Sequence, residues 1–270
     1  MDYLEVVFDT KGLSRSQVEI IIAELYLLGF VGFEERSKTL IAFLEDKNVN
    51  LLETDFKTPI LSVNKMKNTN WNHVWESSFN RVMIDDLCVI RASFHKKDPK
   101  IPIDIIINPK MSFGTGHHPT TFLMIQRLLD IHLVDKRILD IGCGTGVLSI
   151  LAEKKGARSI FALDIDENAF LNSLENIKIN NCKKISVFQT DINGFVNSDF
   201  FDLILVNINK NVLLDEMENY VERLSGNGIL ILSGFFQTDF NDINSCVSRY
   251  NLTLELEKQY KKWQCLVYRK

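Results

Sequence analysis

Apolar and polar residues alternate in two different ways along this chain, and the change comes near residue 111. In the first part, "YLEVVF" (3–8) predicts a strand. "SRSQVEIIIAELYLLGF" (14–30) carries apolar residues at helical spacing, opening at Ser14 and stopping at Gly29. "FVGFEE" (30–35) and "TLIAFLE" (39–45) predict a hairpin, "VNLLETDF" a short helix, and "PILSVNKM" a last strand. That β-α-β-β-α-β order is the one of a ferredoxin-like split βαβ unit. Further on, Trp71, Trp75 and Phe79 fall at i, i+4 and i+8, one helical face of a connecting segment that packs onto a domain.

Beyond residue 111, short apolar runs alternate with amphipathic ones. "RILDIG", "SIFALDID", "ISVFQTD", "FDLILVNI" and "GILILSGF" predict strands. "GVLSILAEKKG", "ENAFLNSLENIKINN" and "NVLLDEMENYVERLS" predict helices, and 251–268 a closing β-rich segment. Near-continuous apolar strands separated by helices imply an α/β fold whose mostly parallel sheet is covered on both faces.

Composition narrows the class. With 46% hydrophobic and 24% charged residues, the 270-residue chain reads as a globular protein with no membrane-spanning run. Its N-terminus lacks the pattern of a secretory signal. The five cysteines are scattered without a CxxC pair, so neither a disulfide framework nor a zinc site is expected, and a reducing cytoplasm is. The net charge of −4 disfavours a dedicated nucleic-acid binder. The overall charge suits a basic polypeptide or a small-molecule partner. Residues 1–70, with eight Lys/Arg against eleven Asp/Glu, form an acidic module that reads as a recognition domain or a purely structural one.

The chemistry concentrates in the second part. In "ILDIGCGTGVLSILA" a buried strand runs through Gly142, Gly144 and Gly146 straight into a helix. Such a turn lets the backbone approach a ligand, and the free N–H groups of the new helix favour an anionic group. Asp164 follows 22 residues after Gly142, placed to accept hydrogen bonds from ribose hydroxyls, whereas Asp166 reads as a helix cap. Glycine turn plus acid indicates an adenosine-type ligand. A dinucleotide fingerprint would put its third glycine at 147, where this chain has Val147. The spacing instead resembles motif I of class I S-adenosylmethionine-dependent methyltransferases. Asp191 is a candidate for the adenine amino group or for a simple turn. Asn207-Ile208-Asn209, at the carboxyl end of an apolar strand, offers an amide oxygen and a carbonyl that can accept both N–H bonds of a neutral amine. The stretch "MSFGTGHHPTT" (111–121) has adjacent His117 and His118 without metal-ligand spacing and no Walker lysine. It is expected to fold over the methionine end of the cofactor.

Taken together, "MSFGTGHHPTT", "DIGCGTG", "LDID", "VNI" and the connecting "NWNHVWESSFN" resemble the PrmA family, the methyltransferases of large-subunit ribosomal protein eleven. The resemblance covers nearly the whole chain. It implies a substrate-recognition domain (1–67), a linker region (68–110) and a class I, Rossmann-like methyltransferase domain (111–270). It further implies transfer of methyl groups from S-adenosyl-L-methionine to lysine side-chain and N-terminal amino groups of that ribosomal protein. Carried over by position, Thr121, Gly142, Asp164 and Asn207 are the cofactor contacts, and Asn207 also lies at the target amine. His117 stands where the family usually has Thr. No membrane partner or nucleic-acid readout is expected, and a monomer is. Two other readings stay open at this point: a nucleic-acid amino-methyltransferase and a non-catalytic S-adenosylmethionine-binding module. An NAD-dependent dehydrogenase fits the glycine spacing least.

Overall fold

The structure is a computed structural model and describes residues 3–53, 56, 58–65, 79–108, 110 and 112–270. Its contacts divide the chain into two compact units, Met1–Ser78 and Phe79–Lys270. Trp71 and Trp75 of the expected aromatic face lie outside the described residues.

The first unit runs β1 (Tyr3–Asp9), α1 (Arg15–Leu27), β2 (Gly32–Arg36), β3 (Thr39–Glu45), a 3-10 segment (Asp46–Glu53) and β4 (Ile60–Lys65). The sheet order β2-β3-β1-β4, antiparallel throughout, is that of the ferredoxin-like split βαβ unit. Helix α1 starts where its sequence says it should. Ser14 Oγ accepts the Gln17 amide at 3.4 Å, and Gln17 Oε1 accepts the Ser14 amide at 2.8 Å. Where the pattern predicts a short helix over 49–56, a 3-10 segment begins earlier, at Asp46, and is broken at Asn48 (φ −103°, ψ 16°). Its asparagines are poor α-helix formers, in keeping with the 3-10 form. Phe8, Phe30 and Phe56 meet edge-to-face in the core, at 6.0 and 5.5 Å from Phe8.

The second unit opens with β5 (Val82–Ile84), β6 (Cys88–Arg91) and β7 (Ile103–Ile106), a three-stranded sheet. These strands fall inside the stretch expected to be a linker. Asp85 and Asp86, at φ 49° and 51°, close the β5–β6 turn, a conformation short Asx side chains tolerate. Then follow α2 (Pro119–Asp130), β8 (Arg137–Ile141), α3 (Val147–Lys154), β9 (Ser159–Asp164), α4 (Glu167–Ile179), β10 (Ile185–Gln189) and β11 (Phe201–Asn207). The chain ends with α5 (Lys210–Asp215), α6 (Met217–Arg223), β12 (Leu224–Phe236), α7 (Phe240–Ser248), β13 (Thr253–Tyr260) and β14 (Trp263–Arg269). The single helix expected over 211–225 is two, because Glu216 (φ −100°, ψ 3°) interrupts it.

These strands form a seven-stranded sheet in the order β10-β9-β8-β11-β12-β14-β13. The first five are parallel, and β14 runs antiparallel between β12 and β13. Both faces are covered. Along β11, Leu203 and Leu205 join one core while Ile204 and Val206 join the other. This two-residue alternation of wholly apolar positions is what the unbroken apolar runs encode. No helix among the described residues is long and apolar enough to cross a membrane.

Candidate active site

The strand order reverses between β8 and β11, leaving a crevice at their carboxyl ends. A cleft of about 730 Å³ opens there. Its wall includes Gly142 and Gly144 after β8, Asp164 at the end of β9, Asp191 after β10 and Asn207 at the end of β11. Four motifs read separately in the sequence thus meet around one cavity.

The glycines of the turn answer to packing within the chain itself. Gly142 has φ 68°, and a Cβ there would lie 2.4 Å from Ile208 Cγ2. At Gly144, φ 56°, a Cβ would lie 2.3 Å from the Phe113 carbonyl oxygen. The turn is therefore squeezed between the Asn207-Ile208-Asn209 segment and the loop that precedes α2. No side chain larger than hydrogen fits at either crossing.

Asp164 braces this turn. Its Oδ2 accepts the Gly144 amide at 2.8 Å and its Oδ1 the Asp166 amide at 3.0 Å. An ionised carboxylate has about four acceptor positions, so both oxygens keep one for a ligand. Asp166 itself caps α4, accepting the Asn168 amide at 2.8 Å, as its position predicts. Asp191 has both properties the sequence left open: it lines the cleft, and its Oδ1 accepts the Gly194 amide at 2.7 Å within a turn.

Asn207 is different. Its Oδ1 is buried and has no hydrogen-bond partner, although the residue lines the cleft. A buried amide oxygen left without a donor is costly, and the cost is recovered if a ligand N–H binds there. Its neighbour Asn209 is satisfied, capping α5 by accepting the Val212 amide at 3.2 Å.

The family model described as "Ribosomal protein L11 methyltransferase (PrmA)" matches residues 5–270 of this chain. The chain belongs to that family. A Porphyromonas gingivalis protein named ribosomal protein L11 methyltransferase is 41% identical over 92% of this chain and 89% of its own length. One of the same name from Bacteroides thetaiotaomicron is 38% identical over 97% and 98%. Among solved structures, the crystal structure of a ribosomal protein L11 methylase from Lactobacillus delbrueckii subsp. bulgaricus superposes with a TM-score of 0.66 at 26% identity. It covers 71% of this chain and all of that one.

Within the PrmA stretch 111–121 the two histidines part company. His118 lines the cleft and caps α2, its Nδ1 accepting the Thr120 amide at 3.4 Å. Its ring lies 5.1 Å from Phe113 and 4.5 Å from Trp263. Burial, with Lys261 nearby, pushes its pKa down, so the imidazole is neutral at pH 7. His117 is exposed, meets Thr115 Oγ1 at 3.1 Å and lies 4.9 Å from the Phe79 ring. Of the adjacent Thr120 and Thr121, Thr120 lines the cleft, whereas Thr121 is buried and its Oγ1 has no partner among the described residues.

Several cleft residues carried no signal in the sequence. Trp263 begins β14 and packs 4.2 Å from Phe236; both are remote from the glycine turn along the chain. Glu216, at the break between α5 and α6, lines the cleft while accepting the Tyr220 hydroxyl at 2.6 Å. Asp140, two residues before the turn, is fully buried, and Ser149 Oγ donates to it at 2.6 Å. Burial raises its pKa to about 6.

Proposed function

We propose that this chain transfers methyl groups from S-adenosylmethionine to lysine side-chain and N-terminal amino groups of ribosomal protein L11. The observation that carries the reading is the buried, unpartnered oxygen of Asn207, a residue that lines the crevice at the strands' carboxyl ends. Membership in the PrmA family supports it, and so does the charge of the wall. Asp164, Asp166, Asp191 and Glu216 line the cleft, with no lysine or arginine among its described residues. Carboxylates suit a cationic ligand and oppose the pyrophosphate of a dinucleotide.

The residues present fit the cofactor. Asp164 keeps an acceptor on each oxygen for a pair of ribose hydroxyls. Gly142 brings backbone to the same wall, and Asn207 on that wall holds a buried oxygen without a partner among the described residues. Thr121, expected as a contact, is buried and not on the wall. When bound, S-adenosylmethionine supplies an electrophilic methyl on a sulfonium whose charge also disfavours a neighbouring ammonium.

The protein's own task is to present a nucleophile. Asn207 Oδ1 can accept an N–H of the incoming amine, which fixes the direction of its lone pair. Only a neutral amine has that lone pair. At pH 7.4, deprotonating a free lysine of pKa about 10.4 costs roughly 4 kcal/mol, and an α-amino group near 8 costs under about 1. No lysine lines the cleft among the described residues and no general base is evident there, so orientation is assigned most of the acceleration.

The test is methyl transfer to purified ribosomal protein L11, read by mass spectrometry, for the wild type and Asn207→Ala. The Asn207 oxygen has no partner among the described residues, so its loss removes no described hydrogen bond from the fold. We expect kcat to fall about a hundredfold or more. An unchanged kcat would remove Asn207 from the mechanism, and an unmodified substrate with the wild type would remove the reading altogether.

A further inference from the structure

The loop ahead of α2 supplies Ser112, Phe113 and His118 to the cleft, yet it belongs to no sheet. Ser112 Oγ donates to the Asn168 carbonyl at 3.4 Å, but the backbone of Phe113 and Gly114 is bonded by a single residue of the glycine turn. Thr145 is fully buried and absent from the cleft wall, and all its polar groups point at this loop or its base. The Thr145 amide donates to the Phe113 carbonyl at 2.8 Å. Its Oγ1 donates to the Gly114 carbonyl at 2.6 Å. The Thr145 carbonyl accepts Asn176 Nδ2 at 3.0 Å, while Asn176 Oδ1 takes the Asn108 amide at 2.8 Å. Asn172 adds a bond to the Asn108 carbonyl at 3.1 Å. The crossing is tight: a Cβ on Gly114 would lie 2.8 Å from Thr145 Oγ1.

We propose that Thr145 is a positioning residue that holds the 112–118 loop in its cofactor-covering place before any ligand arrives. The inference rests on the cofactor assignment made above. Its physical content is a population. If the loop is already placed, cofactor binding spends nothing on ordering it. If the loop is free, the apparent dissociation constant rises by the inverse of the fraction that is in place. Once cofactor saturates the site the loop is closed again, so turnover is preserved. A residue that merely stabilises the fold would show the opposite pattern, lowering the amount of active protein without changing affinity.

Thr145→Val keeps the shape and the backbone amide but removes the hydroxyl and orphans the Gly114 carbonyl. Thr145→Ser keeps the hydroxyl. With S-adenosylhomocysteine as calorimetric probe, we expect the valine variant to bind about tenfold more weakly and the serine variant to stay within about twofold of wild type. In steady state the valine variant should raise KM for S-adenosylmethionine in step, with kcat within about threefold of wild type. Amide exchange at Gly114–Gly116 in the ligand-free protein should speed up in the valine variant and not in the serine variant. Unchanged affinity and exchange in Thr145→Val would overturn the proposal, as would a loss of kcat at constant KM. A wild type that fails to bind the probe would instead overturn the cofactor assignment, and the exchange experiment still decides the role of Thr145.

Discussion

Asp140 and Asp164 sit at adjoining strand ends with opposite fates. Asp164 is partly open and carries two backbone amides, whereas Asp140 is sealed in with one serine hydroxyl. Burial lifts the Asp140 carboxyl from 3.8 to about 6, because the charged form loses its water. A carboxyl raised in the folded state favours folding while protonated. Its contribution is therefore complete below about pH 4 and is lost as pH rises through 6. The difference is on the order of 3 kcal/mol at neutral pH. Ligand-free Asp140→Asn should accordingly be more stable than wild type by about 1–3 kcal/mol at pH 7.5, with the gain gone at pH 4. Urea unfolding at both pH values checks this, and a gain independent of pH would show that the charge is not its source. Residues such as Gly142, Asp164 and Asn207 were legible in the sequence because each is fixed by its distance from a strand end. Trp263 and Phe236 were not, since only the antiparallel return of β14 beside β12 brings them together.

At the scale of elements, the same contrast separates what periodicity reports from what side-chain hydrogen bonds decide. The core strands β8, β9 and β11 and the helices between them follow from apolar runs and their spacing. The three-stranded sheet at 82–106 does not, because strands of three and four residues are too short to show a period. It is held by a buried ion pair: Arg91 Nε and Nη2 reach the two oxygens of Asp104 at 2.6 and 2.8 Å. A third nitrogen, Nη1, donates to the His95 carbonyl at 2.8 Å, fixing the turn after β6. Arg91→Met should destabilise the protein by about 3–5 kcal/mol, chiefly by stranding the Asp104 charge. The double variant Arg91→Met/Asp104→Leu should regain most of that loss. Equal loss in both, measured by thermal or urea unfolding, would assign the effect to packing instead. Helix α4 teaches a related lesson. Asn172, Asn176 and Asn180 recur every four residues on one face and bond the backbone of 106–108. That spacing stood in plain view in "ENAFLNSLENIKINN", but polar residues at helical intervals usually mean a solvated face, and these are turned inward.

For the whole molecule, the described residues that line the cleft lie between 112 and 263, inside the second unit. The first unit contributes a complete ferredoxin-like sheet with its own aromatic core, and its sequence is acidic. We propose that it recognises the protein substrate, leaving chemistry to the second unit. That division makes a kinetic prediction. A fragment of residues 79–270 should bind S-adenosylhomocysteine within about twofold of the full chain, because it contains all the described residues that line the cleft. Removing a surface that binds substrate equally in the ground and transition states raises KM without touching kcat. The fragment should therefore methylate ribosomal protein L11 with a KM raised about tenfold or more and a kcat close to that of the full chain. A KM unchanged by the truncation would place recognition within the methyltransferase unit itself. A fragment that loses nucleoside binding as well would mean that the two units are coupled through the fold and that the cleft is not complete in the second unit alone.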